Sequence, residues 1–190
     1  AGADALELNV YYVAASIEEP AAEVESRYVR MLHELREQVS LPITMKLSSQ
    51  FSSVGHFVRS LQAAGASGVS LFNRFYQPDI DLATRNVLPK MHLSSPYEAL
   101  LRIHWIAILH GRVDLSLAAT GGFHNAEDAL KAVMAGADVV HLCAVLLQQG
   151  PEQLTPILAD MHRWLAENDS GSLAPVNRFC SQHHAIDPTA

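Results

Sequence analysis

Five short runs rich in apolar and β-branched residues, each followed by a longer stretch with helical periodicity, constrain this chain more than any other feature. The runs fall at 5–10, 43–47, 68–72, 114–119 and 138–142, and the helical patterns at 21–39, 53–64, 96–109, 126–135 and 151–167. Such alternation implies a parallel sheet with helices packed against it through right-handed crossovers. A phrase used three times marks the joints: "AGADALELNV" at residue 1, "AGASGVSLFN" from Ala64 and "AGADVVHLC" from Ala135. At Ala64 and Ala135 it sits where a helix ends and a strand follows, with Gly65 and Gly136 suited to the left-handed conformation of a helix C-cap. By the same reading, Ala1, Gly2 and Ala3 are the tail of a helix that would precede the first strand, so the sequence is expected to be cut on its N-terminal side. Five βα units at about 30 residues each are then expected to be the last five, strands 4 to 8, of an α/β (βα)8 TIM barrel of about 250 residues. An open doubly wound sheet is the competitor.

Two regions interrupt the rhythm. The stretch 73–95, "NRFYQPDIDLATRNVLPKMHLSS", is long for a loop in a compact domain and reads either as a functional lid or as a disordered insertion. The stretch 168–190 lacks periodicity and reads as an irregular, loosely packed extension beyond a barrel domain of 1–167.

Composition narrows the function classes. An apolar share of 49% with 17% charged residues suits one soluble globular core. A formal charge of −7 disfavours nucleic acid or an acidic membrane as the main partner, since phosphate backbones are held by clustered Lys and Arg. Cys143 and Cys180 show neither metal-site spacing nor a disulfide framework, and no apolar run approaches the roughly 18 residues of a membrane span. A cytoplasmic protein acting on a small molecule is expected. The ten histidines, His183 and His184 among them, include no pair with ligand spacing beside a suitable carboxylate, so no metal is assigned.

In parallel α/β folds the ligand meets the C-terminal ends of the strands. That rule selects Asn9, followed by Tyr11 and Tyr12, then Lys46, Asn73, Gly121 and Gly122, and Cys143 with Ala144. "TGGFHNAED" places two glycines before a helix that Asn125 can cap, with Asp128 three residues on. Exposed N–H groups at such a turn favour a phosphate, although a tight βα turn uses the same glycines for geometry alone. The neighbouring turn at Cys143 and Ala144 could add further N–H groups. Lys46 is the one lysine within a strand; it is either paired and functional or snorkels to solvent. Glu7 points to the same face as Asn9 by strand parity and is expected to pair with Lys46. Asn9 and Asn73 offer both donor and acceptor to a heterocycle, or serve ordinary turn chemistry.

Taken together, "ELNV", "MKL", "FN", "ATGG" with its helix, and "AGADVVHLCAVLLQQGP" resemble the dihydroorotate dehydrogenases of class 1, and "LFNRFYQPDIDL" and "WIAILHGRV" their dihydroorotate dehydrogenase-like branch. The likeness runs from residue 1 to about residue 173. It implies an eight-stranded βα barrel carrying FMN, an oxidoreductase acting on a CH–CH group in pyrimidine biosynthesis, with homodimerisation of the full-length protein left open. Carried over by position, it puts Asn9 and Asn73 near flavin and substrate, Lys46 beside the flavin N1–C2 carbonyl region, and Gly121 and Gly122 on the FMN phosphate.

Two departures qualify the resemblance. Where the family carries N-x-S-C-P-N, with Cys or Ser as base, this chain reads Asn9-Val10-Tyr11-Tyr12-Val13-Ala14, so Tyr12 stands at the base position. Tyrosine would need its pKa lowered by about three units, roughly 4 kcal/mol of differential stabilisation. The usual Gly-Thr after the last strand is Cys143-Ala144, which keeps backbone donors and loses a hydroxyl. The remaining readings are a flavin-free, phosphate-binding barrel isomerase or lyase, and a catalytically inactive ligand-binding barrel.

Overall fold

The computed structural model describes residues 2–182, so Ala1 of the opening phrase, and His183 and His184, lie outside the described residues. The elements run β1 (Leu6–Asn9), α1 (Ala21–Arg36), β2 (Ile43–Leu47), α2 (Val54–Ala63), β3 (Gly68–Leu71), β4 (Asp79–Asp81), β5 (Asn86–Leu88), α3 (Ala99–Leu109), β6 (Ser116–Thr120), α4 (Ala126–Ala135), β7 (Val139–His141), α5 (Ala144–Gln149) and α6 (Leu154–Glu167). Every strand and helix of the expected alternation is present.

β1, β2, β3, β6 and β7 form one wholly parallel sheet in that order. Each strand lies beside its predecessor in the alternation and the order never turns back, which separates the sheet from a doubly wound one with its switch point. The sheet is open among the described residues: β1 and β7 each pair on one side only, and no closed barrel forms.

β2 shows how the sequence divides the two faces. Ile43, Met45 and Leu47 have no exposed surface, while Thr44 and Lys46 between them are half-buried. With a side-chain period of two, the first set enters the core with Tyr28 and Leu32 of α1, Phe57 and Leu61 of α2, and Ile106 and Leu109 of α3. Tyr28 meets Phe57 edge-on at 5.5 Å between ring centroids, a favoured aromatic geometry. By the strand register, the other face carries Glu7 and Asn9 of β1, Thr44 and Lys46 of β2, Ser70 of β3, Thr120 of β6 and His141 of β7. This polar lining is the feature that positions the site.

The helix-to-strand joints take the conformation that their glycines suggest. Gly65 and Gly136 have φ of 95° and 114°, and a Cβ on Gly136 would collide with the His110 ring. Asn125 caps α4, its Oδ1 accepting from the Asp128 N–H at 2.9 Å.

Three features differ from the sequence reading. The stretch 73–95 carries regular structure: β4 and β5 pair antiparallel within it, with Asp79 opposite Leu88. Its turn contains no glycine; instead Asp81 Oδ1 accepts the Ala83 and Thr84 N–H groups and Arg85 adopts φ 55°. The usual hairpin signal was therefore missing. A short helix, α5, follows β7 where only a turn was expected. The extension is irregular over 168–182 but not loose there: Arg178 and Cys180 donate their N–H groups to the last carbonyls of α4, Val133 and Met134, and Val176 is buried against Val133 and Leu165. The Val133 carbonyl also accepts from the Gly136 N–H that caps α4, so the tail adds a second donor there and supplies Met134 with one from outside the helix.

Candidate functional site

The C-terminal ends of the five parallel strands bring the selected polar residues to one rim. Asn9 lies opposite Lys46 in the β1–β2 register, and Lys46 opposite Ser70 in the β2–β3 register. Asn73, two residues beyond β3, donates its N–H to the Leu47 carbonyl at 2.6 Å and so prolongs the pairing with β2. Its side-chain Nδ2 donates to Asn9 Oδ1, also at 2.6 Å. Lys46 Nζ lies 3.6 Å from Glu7 Oε1, so both side chains share a face as strand parity requires. At that distance the contact is an ion pair rather than a hydrogen bond. The ammonium keeps donors for another group.

Ser70 was not selected from the sequence. The residue has no exposed surface and its Oγ has no hydrogen-bond partner. A buried hydroxyl without a partner costs about 1–3 kcal/mol. Its signal lies in the alternation of "GVSL", where Ser70 between the core residues Val69 and Leu71 takes the opposite face, the one that carries Lys46 in the β2–β3 register. The Tyr11 hydroxyl accepts the Tyr76 N–H at 3.2 Å and ties the 73–95 excursion to the exit of β1.

Tyr12 goes elsewhere. Its hydroxyl donates to Glu19 Oε2, and the Arg27 guanidinium lies 4.2 Å from its ring centroid. The Glu19 carboxylate holds the phenolic proton and burial adds to the effect; together they raise the pKa against the lowering by Arg27. A base here needs the opposite shift; in this structure the phenolic hydroxyl donates to the Glu19 carboxylate.

The glycine turn after β6 is built for close packing. Gly121 and Gly122 have φ of 91° and 93°, and a Cβ on Gly122 would overlap the backbone N of Ala99. The Gly122 N–H donates to Ser94 Oγ at 3.0 Å, and His124 Nε2 donates to the Ser94 carbonyl at 2.8 Å. In this conformation the Gly122 N–H is therefore taken by Ser94. Cys143 is exposed at the start of α5, and Ala144 behind it is buried.

A charged cluster holds the turn from below. Arg102, 6% exposed, donates from Nε to the Thr120 carbonyl at 3.1 Å and from Nη1 to the Glu98 carbonyl at 2.9 Å. The Glu98 carboxylate accepts from Arg74 at 2.7 Å and from the Ser95 N–H at 2.9 Å, which closes a capping box at the helical turn before α3. Burial alone would raise the Glu98 pKa, but the Ser95 N–H and the Arg74 and Arg102 charges outweigh it and hold the carboxyl below its ordinary value. Burial pushes the Arg102 pKa down, with Glu98 opposing.

A cavity of about 330 Å³ opens on the polar face, lined by residues that include Glu7, Thr44, Ser116, Ala118 and His141. A larger cleft of about 700 Å³ lies outside the sheet between α4 and α6, beside Leu130, Met134 and Trp164. Neither space is lined by Asn9, Lys46 or Asn73; a third, of about 330 Å³, reaches the C-terminal rim at Asn73, Arg74, Glu98 and Arg102. Among the described residues no group of three or more His, Cys, Asp or Glu could hold a metal, and no helix is long and apolar enough to cross a membrane.

A family model described as "Dihydroorotate dehydrogenase" matches residues 2–165. The chain is similar to proteins named dihydroorotate dehydrogenase B (NAD(+)), catalytic subunit. That of Desulforamulus reducens is 28% identical over 142 residues, covering 73% of this chain and 46% of the relative. That of Desulforudis audaxviator is 28% identical over 157 residues, covering 81% and 50%. That of Brachyspira hyodysenteriae is 25% identical over 138 residues, covering 71% and 45%. The chain spans about half the length of the curated relatives that it matches.

Proposed function

The chain belongs to the dihydroorotate dehydrogenase family, and from that premise we propose that it provides the flavin-facing rim of an FMN-dependent oxidoreductase that acts on a CH–CH bond of a small cyclic substrate of the dihydroorotate type. In this reading the open sheet is the strand 4 to 8 portion of a (βα)8 barrel, and the protein is cytoplasmic. The observation that carries the reading is the row on the polar face: the Asn9–Asn73 amide pair beside the Lys46–Glu7 ion pair, with the unpartnered Ser70 hydroxyl in register. A flavin ring edge alternates carbonyls with an N–H, and amides, an ammonium and a hydroxyl are the donor set that such an edge requires.

FMN, when bound, supplies the acceptor for two electrons. The residues supply position and charge. Asn9 and Asn73 orient the planar ligand through their amides, and Lys46 places positive charge where negative charge would develop. Glu7 fixes the lysine within the row. On the phosphate side, Gly121, Cys143 and Ala144 are the proposed backbone donors. Tyr12 takes no proton in this scheme.

Purification of the protein expressed from its natural coding sequence tests the proposal. A visible flavin absorption band that bleaches with dihydroorotate supports it. A colourless protein that gains no band when FMN is added removes it, and leaves the flavin-free phosphate-binding reading. A retained flavin that no substrate or reductant bleaches would favour the inactive ligand-binding barrel.

A further inference from the structure

We propose that the cleft at the C-terminal rim beside Asn73 is an oxyanion-binding site, in which Arg74 and Arg102 receive the carboxylate or phosphate group of a small ligand. The inference stands apart from the flavin reading, because it rests on the charge balance of this cleft alone. The chain carries a formal charge of −7, and two larger clefts follow that sign. The space between α4 and α6 is lined by Glu127 and Asp160 against Lys131. A polar cleft where β6 and β7 begin is lined by Asp114 and Asp138 against Arg178 and His110. The rim cleft, of about 330 Å³, reverses the balance, with Arg74 and Arg102 against Glu98.

The hydrogen bonds leave one of these positive charges over. The Glu98 carboxylate is taken by Arg74, whose Nη1 donates to both its oxygens at 2.7 and 2.9 Å, and by the Ser95 N–H. Arg102, 6% exposed, gives its Nε and Nη1 to the neutral carbonyls of Thr120 and Glu98. Its Nη2 lies 3.6 Å from Glu98 Oε2, beyond hydrogen-bond distance. A buried cation without an anion of its own is costly, and an anion brought beside it offsets that cost. Arg74 also keeps donors for a ligand: among the described residues only its Nη1 and backbone N–H are engaged, and its side chain is 30% exposed. A guanidinium presents paired N–H groups that match two oxygens of a carboxylate or a phosphate. Ser49 and Gln77 add neutral polar groups to the lining. Asn73 lines the same cleft and holds Asn9 through its amide, so a ligand anchored here reaches from the cleft towards the polar row.

The test uses the protein expressed from its natural coding sequence, with inorganic phosphate and acetate as probes against chloride at equal ionic strength. Melting temperature against probe concentration reads affinity in wild type, Arg74→Gln and Glu98→Gln. Wild type is expected to be stabilised saturably by at least one probe. Tighter phosphate assigns the site to a phosphate ester and tighter acetate to a carboxylate, and either supports the proposal. Arg74→Gln removes a charged donor and should weaken binding about tenfold to about a hundredfold. Glu98→Gln keeps an acceptor for Arg74 and the Ser95 N–H but removes the like charge, so binding should tighten by roughly threefold or more. Residues that only brace the fold would shift both variants in the same direction. A wild type stabilised by neither probe beyond the chloride control overturns the proposal, as does unchanged affinity in Arg74→Gln or weaker binding in both variants. Should Arg74→Gln fail to fold, Glu98→Gln decides: tighter binding supports the site, and unchanged or weaker binding overturns it. A protein without flavin is tested in the same way, so failure of the flavin reading and failure of this one are seen separately.

Discussion

Tyr11 and Tyr12 show how adjacent residues leaving one strand take partners in different parts of the fold. Successive residues leaving β1 diverge: Tyr11 reaches the 73–95 excursion through the Tyr76 N–H, and Tyr12 reaches Glu19 and Arg27. The hydrogen bond to the Glu19 carboxylate raises the pKa of the phenol. Tyr12→Phe is therefore expected to leave turnover of dihydroorotate within about threefold in the active protein. A loss of about 100-fold or more, the usual size of a general-base contribution, would return the role to Tyr12. Lys46 and Glu7 stand at the other extreme. Their pairing follows from a two-residue period and a parallel register, both legible in the sequence, whereas nothing local announces that Glu19 will meet Tyr12.

At the level of elements, the glycine turn between β6 and α4 is held by groups from two other parts of the chain. Ser94 reaches it from the excursion and Arg102 from α3. Gly122→Ala is expected to destabilise the protein by about 3 kcal/mol, since the new Cβ meets the Ala99 backbone at a φ that alanine avoids. Thermal or denaturant unfolding of the pair checks this. Glu98 links the excursion to the same region through Arg74, Ser95 and Arg102. Its folded pKa lies below its ordinary value of 4.5. The stabilisation from that shift is thus complete above the ordinary carboxylate range and is lost as pH falls through the lower, folded value. Melting curves of wild type and Glu98→Gln between about pH 6 and about pH 3 should differ most at the upper end and converge at the lower. A constant difference would show that ionisation of Glu98 plays no part.

The whole molecule presents a parallel sheet with helices on one face and a polar surface on the other, and with β1 and β7 each paired on one side. Unpaired strand edges are templates for association. The isolated chain of 190 residues is accordingly expected to self-associate or aggregate, with sedimentation that depends on concentration. A monomer that unfolds in one cooperative step would contradict this expectation. The tail over 168–182 works against exposure elsewhere, covering Val133 and Leu165 and donating to the last carbonyls of α4.

By itself, the sequence determined the βα alternation, the left-handed glycine joints, the division of each strand into core and polar faces, and the family likeness, because all of these depend on local periods of 2 and 3.6 residues and on residue identity. The strand order, the β4–β5 hairpin, the docking of the tail, the use of the Gly122 N–H by Ser94, the capture of Tyr12 by Glu19 and the isolation of the Ser70 hydroxyl were decided only in the tertiary structure. Each of these depends on partners far apart in the chain, or on space left by neighbouring strands, and no local pattern encodes which donor will reach which acceptor once the chain has closed on itself.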